Sequence, residues 1–160
     1  MLEAVVAVYA DWGIGRNGTQ PVVVKADRKH FREITGRGAV IVGRKTLADF
    51  PGGRPLKGRV NIVVTRQSVE IPGAVVAHSA EAAAEIAAQY DRAFVIGGAS
   101  IYKKMLHWCG RVHVTILDCT PDSDVFFPDL DADPAWRCAD PGWWLEENGL
   151  RYRFATYERI

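Results

Sequence analysis

Short runs of apolar, β-branched residues recur along the chain, separated by polar segments. Runs of this length without strict alternation are typical of strands buried on both faces of a sheet. The pattern predicts strands at residues 2–9, 39–42, 60–64, 74–77, 93–96 and 112–117.

Helical periodicity occupies several of the intervals between these strands. It predicts helices at residues 26–35, 44–50, 80–90 and 99–108, and Ser79 is a suitable N-cap for the third of them. Strands that alternate with helices imply right-handed crossovers and a largely parallel sheet with helices on both faces.

The C-terminal end has a different pattern. Asn148-Gly149 lies between two apolar stretches, and Leu150, Tyr152 and Phe154 alternate with arginines. Asn-Gly favours a type I′ turn, so this segment predicts an antiparallel hairpin. The fold class is therefore α/β, a three-layer, doubly wound, mostly parallel sheet closed by a C-terminal hairpin. We find no repeat, low-complexity run or linker, and we expect one domain over residues 1–160.

Asp27 stands out within the first predicted helix. Asp27, Phe31 and Ile34 fall at i, i+4 and i+7 and share one face, and the other two side chains on that face are apolar. A carboxylate on a core-facing stripe loses hydration and needs a partner. Asp27 therefore either caps its helix or is placed to meet a ligand.

Composition narrows the classes of function. The formal net charge is +1, which gives no overall reason to expect nucleic acid or a membrane surface as partner. The three cysteines, Cys109, Cys119 and Cys138, lack metal-ligand spacing and are odd in number, so we expect free thiols, no metal and a cytoplasmic location.

A glycine-rich segment, Gly13 to Gly18, follows the first strand and fits the pattern G-x-G-x-x-G. A dinucleotide fingerprint would require a helix to begin there, whereas the next residues are β-branched and interrupted by Pro21. We therefore interpret this segment as a glycine-rich loop of some length.

Three strand ends carry groups that suit phosphate. Gly97-Gly98 opens a helix, Gly43 precedes Arg44-Lys45-Thr46, and Thr65-Arg66 ends the next strand. Paired glycines let backbone N–H groups approach an anion, and cations at a helix N-terminus favour it. Each feature alone is also compatible with a solvated strand end. Together, on one edge of a parallel sheet, they favour a dinucleotide.

A basic loop at residues 53–59 contains Arg54, Lys57 and Arg59 together with one proline and two glycines. Arginines in a rigid loop can hold a carboxylate in a bidentate manner, although such loops are equally often solvated surface.

These motifs together resemble the dihydrofolate reductase family, of the bacterial chromosomal type. The resemblance covers essentially the whole chain, in order. It is carried by Ile14-Gly15, Pro21, Ala26-Asp27, Phe31, Val42-Gly43-Arg44-Lys45-Thr46, Gly53-Arg54-Pro55-Leu56, Arg59-Val60-Asn61, Val95-Ile96-Gly97-Gly98, Tyr102, Thr115 and Phe127-Pro128-Asp129.

The resemblance implies NADPH-dependent reduction of 7,8-dihydrofolate to tetrahydrofolate by a monomer that also binds antifolates. Asp27 and Thr115 match the catalytic positions. Positions expected to bind substrate are Val5, Asp27, Arg28, Phe31, Arg32, Phe50, Arg54, Leu56, Arg59, Ile96 and Thr115. Positions expected to bind the cofactor are Ala7, Ile14, Gly15, Gly18, Thr19, Gly43, Arg44, Lys45, Thr46, Thr65, Arg66, His78, Gly97, Gly98, Ala99, Ser100, Ile101 and Tyr102.

The sequence departs from the family pattern around Asp27. Val22 stands where the family usually has tryptophan, and Gln20 where it has leucine or methionine. Lys25 replaces a usual proline, and Arg28 a usual apolar residue. The resemblance also implies that residues 11–24 form a covering loop that closes over the nicotinamide. We expect the four changes to affect this loop and the water beside the carboxylate.

Two other functions are compatible with these features. A pyrimidine reductase of the riboflavin pathway would have the same fold and cofactor but no folate glutamate to bind. A non-catalytic nucleotide-binding module would have little reason to keep a lone carboxylate on an apolar face.

Overall fold

The computed structural model describes residues 2–160. Its strands are β1 (Leu2–Tyr9), β2 (Gly13–Gly15), β3 (Ala39–Gly43), β4 (Val60–Val64), β5 (Ala74–Ala77), β6 (Ala93–Gly97), β7 (Cys109–Leu117), β8 (Val125–Phe126), β9 (Trp136–Asp140), β10 (Leu145–Glu147) and β11 (Leu150–Arg159). Its helices are α1 (Lys25–Thr35), α2 (Arg44–Ala48), α3 (Ala80–Ala87) and α4 (Ala99–Met105), with 3-10 turns at Pro51–Gly53 and Leu106–Trp108.

The described residues build one nine-stranded sheet and a separate two-stranded one. The main path runs β10-β11-β7-β1-β6-β3-β4-β5, and β9 also pairs with β11. The pairs from β7 to β5 along this path are parallel, whereas β11 is antiparallel to its neighbours. The predicted fold class is confirmed.

Helices cover both faces of the sheet, as the alternation of strands and helices predicts. On one face, Val5, Val40 and Phe94 pack with Phe31 and Ile34 of α1. The opposite face packs against α3 and α4 through a larger cluster. Alternate residues of each strand therefore belong to different layers of the core.

The predicted strands lie where the pattern places them, but three predicted helices are too long. Helix α2 ends at Ala48 because Phe50 precedes Pro51, and a residue before proline is driven to the extended conformation that Phe50 adopts, with ψ of 158°. Helices α3 and α4 end early because their last turns tighten to i→i−3 hydrogen bonds, as from Tyr90 N–H to the Ala87 carbonyl.

The C-terminal hairpin and its turn are confirmed. Glu147 pairs with Leu150, and Asn148 and Gly149 have φ of 51° and 81°, the positive values that a type I′ turn requires. Strands β2, β8 and β9 were not predicted. They are short or largely exposed, so neither an apolar run nor a clear alternation marks them.

The sheet opens at its centre. The ladder between β1 and β6 ends at Ala4 and Val95, while β1 continues to pair with β7 as far as Tyr9 and Leu117. The carboxyl-terminal halves of β1 and β6 therefore separate and leave a crevice between them. Such crevices are where open α/β sheets bind ligands.

No helix within residues 2–160 is long and apolar enough to cross a membrane.

Candidate active site

A cavity of about 810 Å³ occupies the crevice between β1 and β6. Val5 and Ala7 line one wall, and Ile96 and Gly97 line the other. Asp27 reaches the cavity from α1, so the carboxylate singled out by helical spacing faces the central crevice of the sheet.

Asp27 does not cap its helix. The N-cap is Val24, and the Asp27 carboxylate instead accepts a 2.6 Å hydrogen bond from the Thr115 hydroxyl of β7. Burial raises the pKa of Asp27, and this outweighs the Thr115 hydrogen bond and the nearby His30, both of which lower it. The first of the two interpretations of Asp27 is therefore wrong, and a carboxylate with raised proton affinity lies at the cavity.

Glu147 caps α1 from the C-terminal hairpin. Its carboxylate accepts hydrogen bonds from the N–H groups of Lys25, at 2.7 Å, and Ala26, at 3.1 Å. A carboxylate at a helix N-terminus accepts hydrogen bonds from backbone N–H groups that have no partner within the helix. Its negative charge is also attracted to the positive end of the helix dipole. The hairpin thus fixes the helix turn that carries Asp27, and the sequence gives no signal for a contact across 121 residues.

Phe31 lies one turn after Asp27 and connects the two ends of the site. The Arg59 guanidinium lies 5.7 Å from the Phe31 ring centroid, and Arg59 Nε donates to the Thr35 hydroxyl at 2.9 Å. Burial and the neighbouring Arg32 lower the pKa of Arg59. Two guanidinium groups near each other favour an anion between them or beside them.

A second cavity of about 520 Å³ adjoins this arginine, and it is bounded by the basic loop and Ile71-Pro72-Gly73. The structure places eight of the eleven predicted substrate positions on the walls of the two cavities. The first is lined by Val5, Asp27, Phe31, Phe50 and Ile96, and the second by Arg54, Leu56 and Arg59. Thr115 is buried behind Asp27, whereas Arg28 and Arg32 are exposed and line neither cavity. The substrate-binding roles of all these residues stay predictions.

Every predicted cofactor position lines the first cavity. These positions are Ala7, Ile14, Gly15, Gly18, Thr19, Gly43, Arg44, Lys45, Thr46, Thr65, Arg66, His78, Gly97, Gly98, Ala99, Ser100, Ile101 and Tyr102. The fold thus gathers three separate strand ends around one crevice, although the individual contacts to a cofactor stay predictions.

The residues of this wall fit a phosphate-bearing ligand. A Cβ added at Gly98 would lie 2.8 Å from the Thr46 hydroxyl oxygen, and one at Gly43 would lie 3.1 Å from Ile101. The two glycines therefore allow Thr46 and Ile101 to pack closely against the backbone of this wall. Within residues 2–160, neither Arg44 nor Arg66 forms a salt bridge with an acidic side chain, so both cations remain available for an anion.

The covering loop contains no helix, as predicted, and is held against the loop before β8. The Asn17 N–H donates to an Asp124 carboxylate oxygen at 2.9 Å, and the Asp124 N–H donates to the Gly15 carbonyl at 2.9 Å. Strands β2 and β8 pair beside these bonds. The loop therefore forms one side of the cavity.

Two side chains bind backbone carbonyls of β1 beyond the end of the β1–β6 ladder. The Tyr102 hydroxyl donates to the Val5 carbonyl at 2.6 Å, and Gln20 Nε2 donates to the Ala7 carbonyl at 3.2 Å. A strand carbonyl that loses its ladder partner needs another donor. The sequence did not predict either contact. In the described part of the chain, no three His, Cys, Asp or Glu side chains are grouped to hold a metal ion.

The chain is similar in sequence and in fold to known proteins. A family model described as dihydrofolate reductase matches residues 1–159. Dihydrofolate reductase from Rattus norvegicus is 34% identical and covers 99% of this chain and 97% of its own length. The solved structure of dihydrofolate reductase from Enterococcus faecalis, complexed with NADP(H) and RAB-propyl, matches with a TM-score of 0.88 and 31% identity over 99% of this chain and 96% of that one.

Several relatives are longer fusions. The bifunctional dihydrofolate reductase-thymidylate synthase of Glycine max is 35% identical over 99% of this chain, which spans 33% of that protein's length. The chain thus spans about one third of these relatives, yet almost the full length of the rat and Enterococcus proteins. By the matched family model and these full-length relatives, the chain belongs to the dihydrofolate reductase family.

Proposed function

We propose that the protein reduces 7,8-dihydrofolate to 5,6,7,8-tetrahydrofolate with NADPH. One observation carries this proposal: Asp27 lines a single cavity together with Phe31 and the strand ends that carry glycines and cations. Family membership supports the same activity.

Asp27 acts on the pterin. Its carboxylate suits the paired donors of the pterin ring, N3–H and the 2-amino group, and it favours a positively charged, protonated pterin. The short Thr115 hydrogen bond holds one carboxylate oxygen in place. Asp27 cannot easily reach pterin N5, so a water molecule delivers the final proton there.

Arg59 and Phe31 hold the rest of the substrate. The Phe31 ring contacts the p-aminobenzoyl group, and Arg59 with Arg54 binds the glutamate carboxylate in the second cavity. Binding at both ends positions the pterin ring, which is how remote contacts contribute to rate.

The glycine-bearing wall and the cations Arg44, Lys45 and Arg66 would hold NADPH by its phosphates. When bound, NADPH supplies the hydride. The covering loop excludes water from the reacting groups, and Asp124 holds it in place.

An assay of NADPH consumption tests this function. We expect oxidation of NADPH that depends on dihydrofolate and is much faster than with NADH or with a pyrimidine substrate. Consumption that requires the pyrimidine substrate would identify the riboflavin-pathway reductase instead. Binding of NADPH without turnover of either substrate would indicate the non-catalytic module.

The basic loop favours the folate substrate over the pyrimidine. Arg59 packs beside Phe31 and adjoins a separate cavity that has no evident use for a substrate without a carboxylate tail.

We propose a single domain that acts as a monomer in the cytoplasm and binds antifolates at Asp27. The free thiols of Cys109, Cys119 and Cys138 support a reducing compartment. Size-exclusion chromatography with light scattering tests the monomer, and competition between an antifolate and dihydrofolate tests the shared site.

A further inference from the structure

Gln20 lies on the covering loop, and its side chain is hydrogen-bonded to the cavity wall that β1 forms. Its side-chain Nε2 donates to the Ala7 carbonyl of β1 at 3.2 Å, and both residues line the first cavity. Ala7 is beyond the last pair of the β1–β6 ladder, so within residues 2–160 β6 supplies no ladder donor to it. The contact therefore occupies an acceptor that the opening of the sheet exposes.

The Val5 carbonyl, which also lies beyond the β1–β6 ladder, has a different kind of donor. Val5, two residues earlier on the same edge of β1, accepts from Tyr102, whose hydroxyl belongs to a fully buried ring of α4. That bond is part of the core. The Ala7 carbonyl depends instead on a half-buried side chain from a loop, and it would lose this donor if the loop moved away.

The chemistry of the donor is specific. A glutamine side chain ends in a primary carboxamide, which carries two N–H donors and one carbonyl acceptor. The nicotinamide ring of NADPH carries the same group. A leucine or methionine at this position, as the family usually has, could not donate to Ala7. The carboxamide at position 20 is thus a feature of this chain that the usual family residue lacks.

We propose that Gln20 is an internal substitute for the cofactor's carboxamide, held on the Ala7 carbonyl until NADPH displaces it. This rests on the proposed function, because it assumes that the nicotinamide end of NADPH enters the crevice beside Ala7. Binding then breaks the Gln20 hydrogen bond and forms an equivalent one from the cofactor. Because one hydrogen bond is lost for the one gained, the nicotinamide end adds less to the affinity than it would if the Ala7 carbonyl were free.

Affinity measurements on two ligands test the exchange. Gln20→Met keeps the length of the side chain and removes the donor. We expect it to bind NADPH about twofold to tenfold more tightly than the unmodified protein, the range for one neutral hydrogen bond. Its affinity for 2′,5′-ADP, which lacks nicotinamide, should not change. Gln89→Met makes the same chemical change at an exposed position and should alter neither affinity.

Nuclear magnetic resonance reports the bond itself. The side-chain amide signals of Gln20, assigned by their loss in Gln20→Met, should shift towards values for a free amide when NADPH is added, and should stay unchanged with 2′,5′-ADP. Because methionine could also touch the nicotinamide directly, this measurement decides between a gained contact and a released one.

The outcomes separate the two proposals. If NADPH binds and is oxidised with dihydrofolate while the Gln20 amide signals do not move, the exchange is wrong and the proposed function stands. An equal response to 2′,5′-ADP would likewise overturn the exchange. If the protein binds no NADPH, both are wrong.

Discussion

The Thr115 hydroxyl donates a 2.6 Å hydrogen bond to the Asp27 carboxylate, and this bond joins β7 to the first turn of α1. Thr115 is only 3% exposed, so the bond lies behind the cavity, shielded from water. It stabilises the ionised form of a carboxylate whose burial favours the neutral form. The protonation of Asp27 therefore depends on the balance between these two effects.

Thr115→Val should shift that balance. The substitution removes the donor and keeps the shape, so the pKa of Asp27 should rise further. A hydrogen bond to a charged group contributes about 1.5–3 kcal/mol, which corresponds to a shift of roughly one to two pH units. The measurement is the pH dependence of kcat/KM.

Thr156→Val is the matched control, because Thr156 lies on β11 beside β7 and has no hydrogen bond to Asp27. An identical pH profile for Thr115→Val and the unmodified protein would show that Thr115 does not tune the carboxylate.

Glu147→Ala should weaken the positioning of Asp27 without changing a residue of the site itself. The variant removes the acceptor for the Lys25 and Ala26 N–H groups, and loss of a helix cap typically costs about 1 kcal/mol of stability. Because Asp27 lies in the same helix turn, kcat/KM should also fall severalfold. Thermal unfolding and steady-state kinetics measure the two effects.

Glu146→Ala removes the adjacent, exposed carboxylate, which accepts no hydrogen bond from α1. If it lowered stability and kcat/KM as much as Glu147→Ala does, the general charge of the hairpin, and not the cap, would be responsible.

Much of this site is visible in the sequence because its determinants are local. Helical spacing places Asp27 beside Phe31, and glycines at strand ends mark the crevice wall. Each of these signals depends on residues within a few positions of one another. The parallel sheet follows from the same local periodicities, so the strand positions and the hairpin turn were predicted well.

The unpredicted features are contacts between distant segments. Glu147 contacts α1 from the far end of the chain. Gln20 can contact Ala7 because β1 and β6 separate after Ala4. No periodicity encodes such a contact. The helix ends were misjudged for a smaller reason, since the tightening of a last turn depends on tertiary packing.

Asp27→Asn should make the protein more stable at neutral pH. The pKa of Asp27 is raised in the fold, so the native state binds this proton more tightly than the unfolded chain. The stability from the protonated form is complete below the ordinary value of 3.8 and is lost as pH rises through the raised value.

Asparagine stays neutral and avoids this loss. The melting temperature of Asp27→Asn should exceed that of the unmodified protein at pH 7, by roughly 2–4 °C for each ~1 kcal/mol, and the difference should shrink in acid. A difference that is constant with pH would contradict the assignment of burial as its cause.

Arg59→Gln should weaken binding of the substrate tail. The variant removes a guanidinium that packs beside Phe31, so the Kd for dihydrofolate should rise about 10- to 100-fold. A dihydropterin without the glutamate should bind equally well to both proteins. Equal losses for both ligands would place Arg59 in a purely structural role.

The most direct test of the central claim is the pH dependence of single-turnover hydride transfer in the unmodified protein and Asp27→Asn. We expect the variant to be slower at neutral pH by roughly 10²-fold or more, with partial recovery in acid, where solution supplies the proton. A variant with the rate and pH profile of the unmodified protein would contradict the role of Asp27.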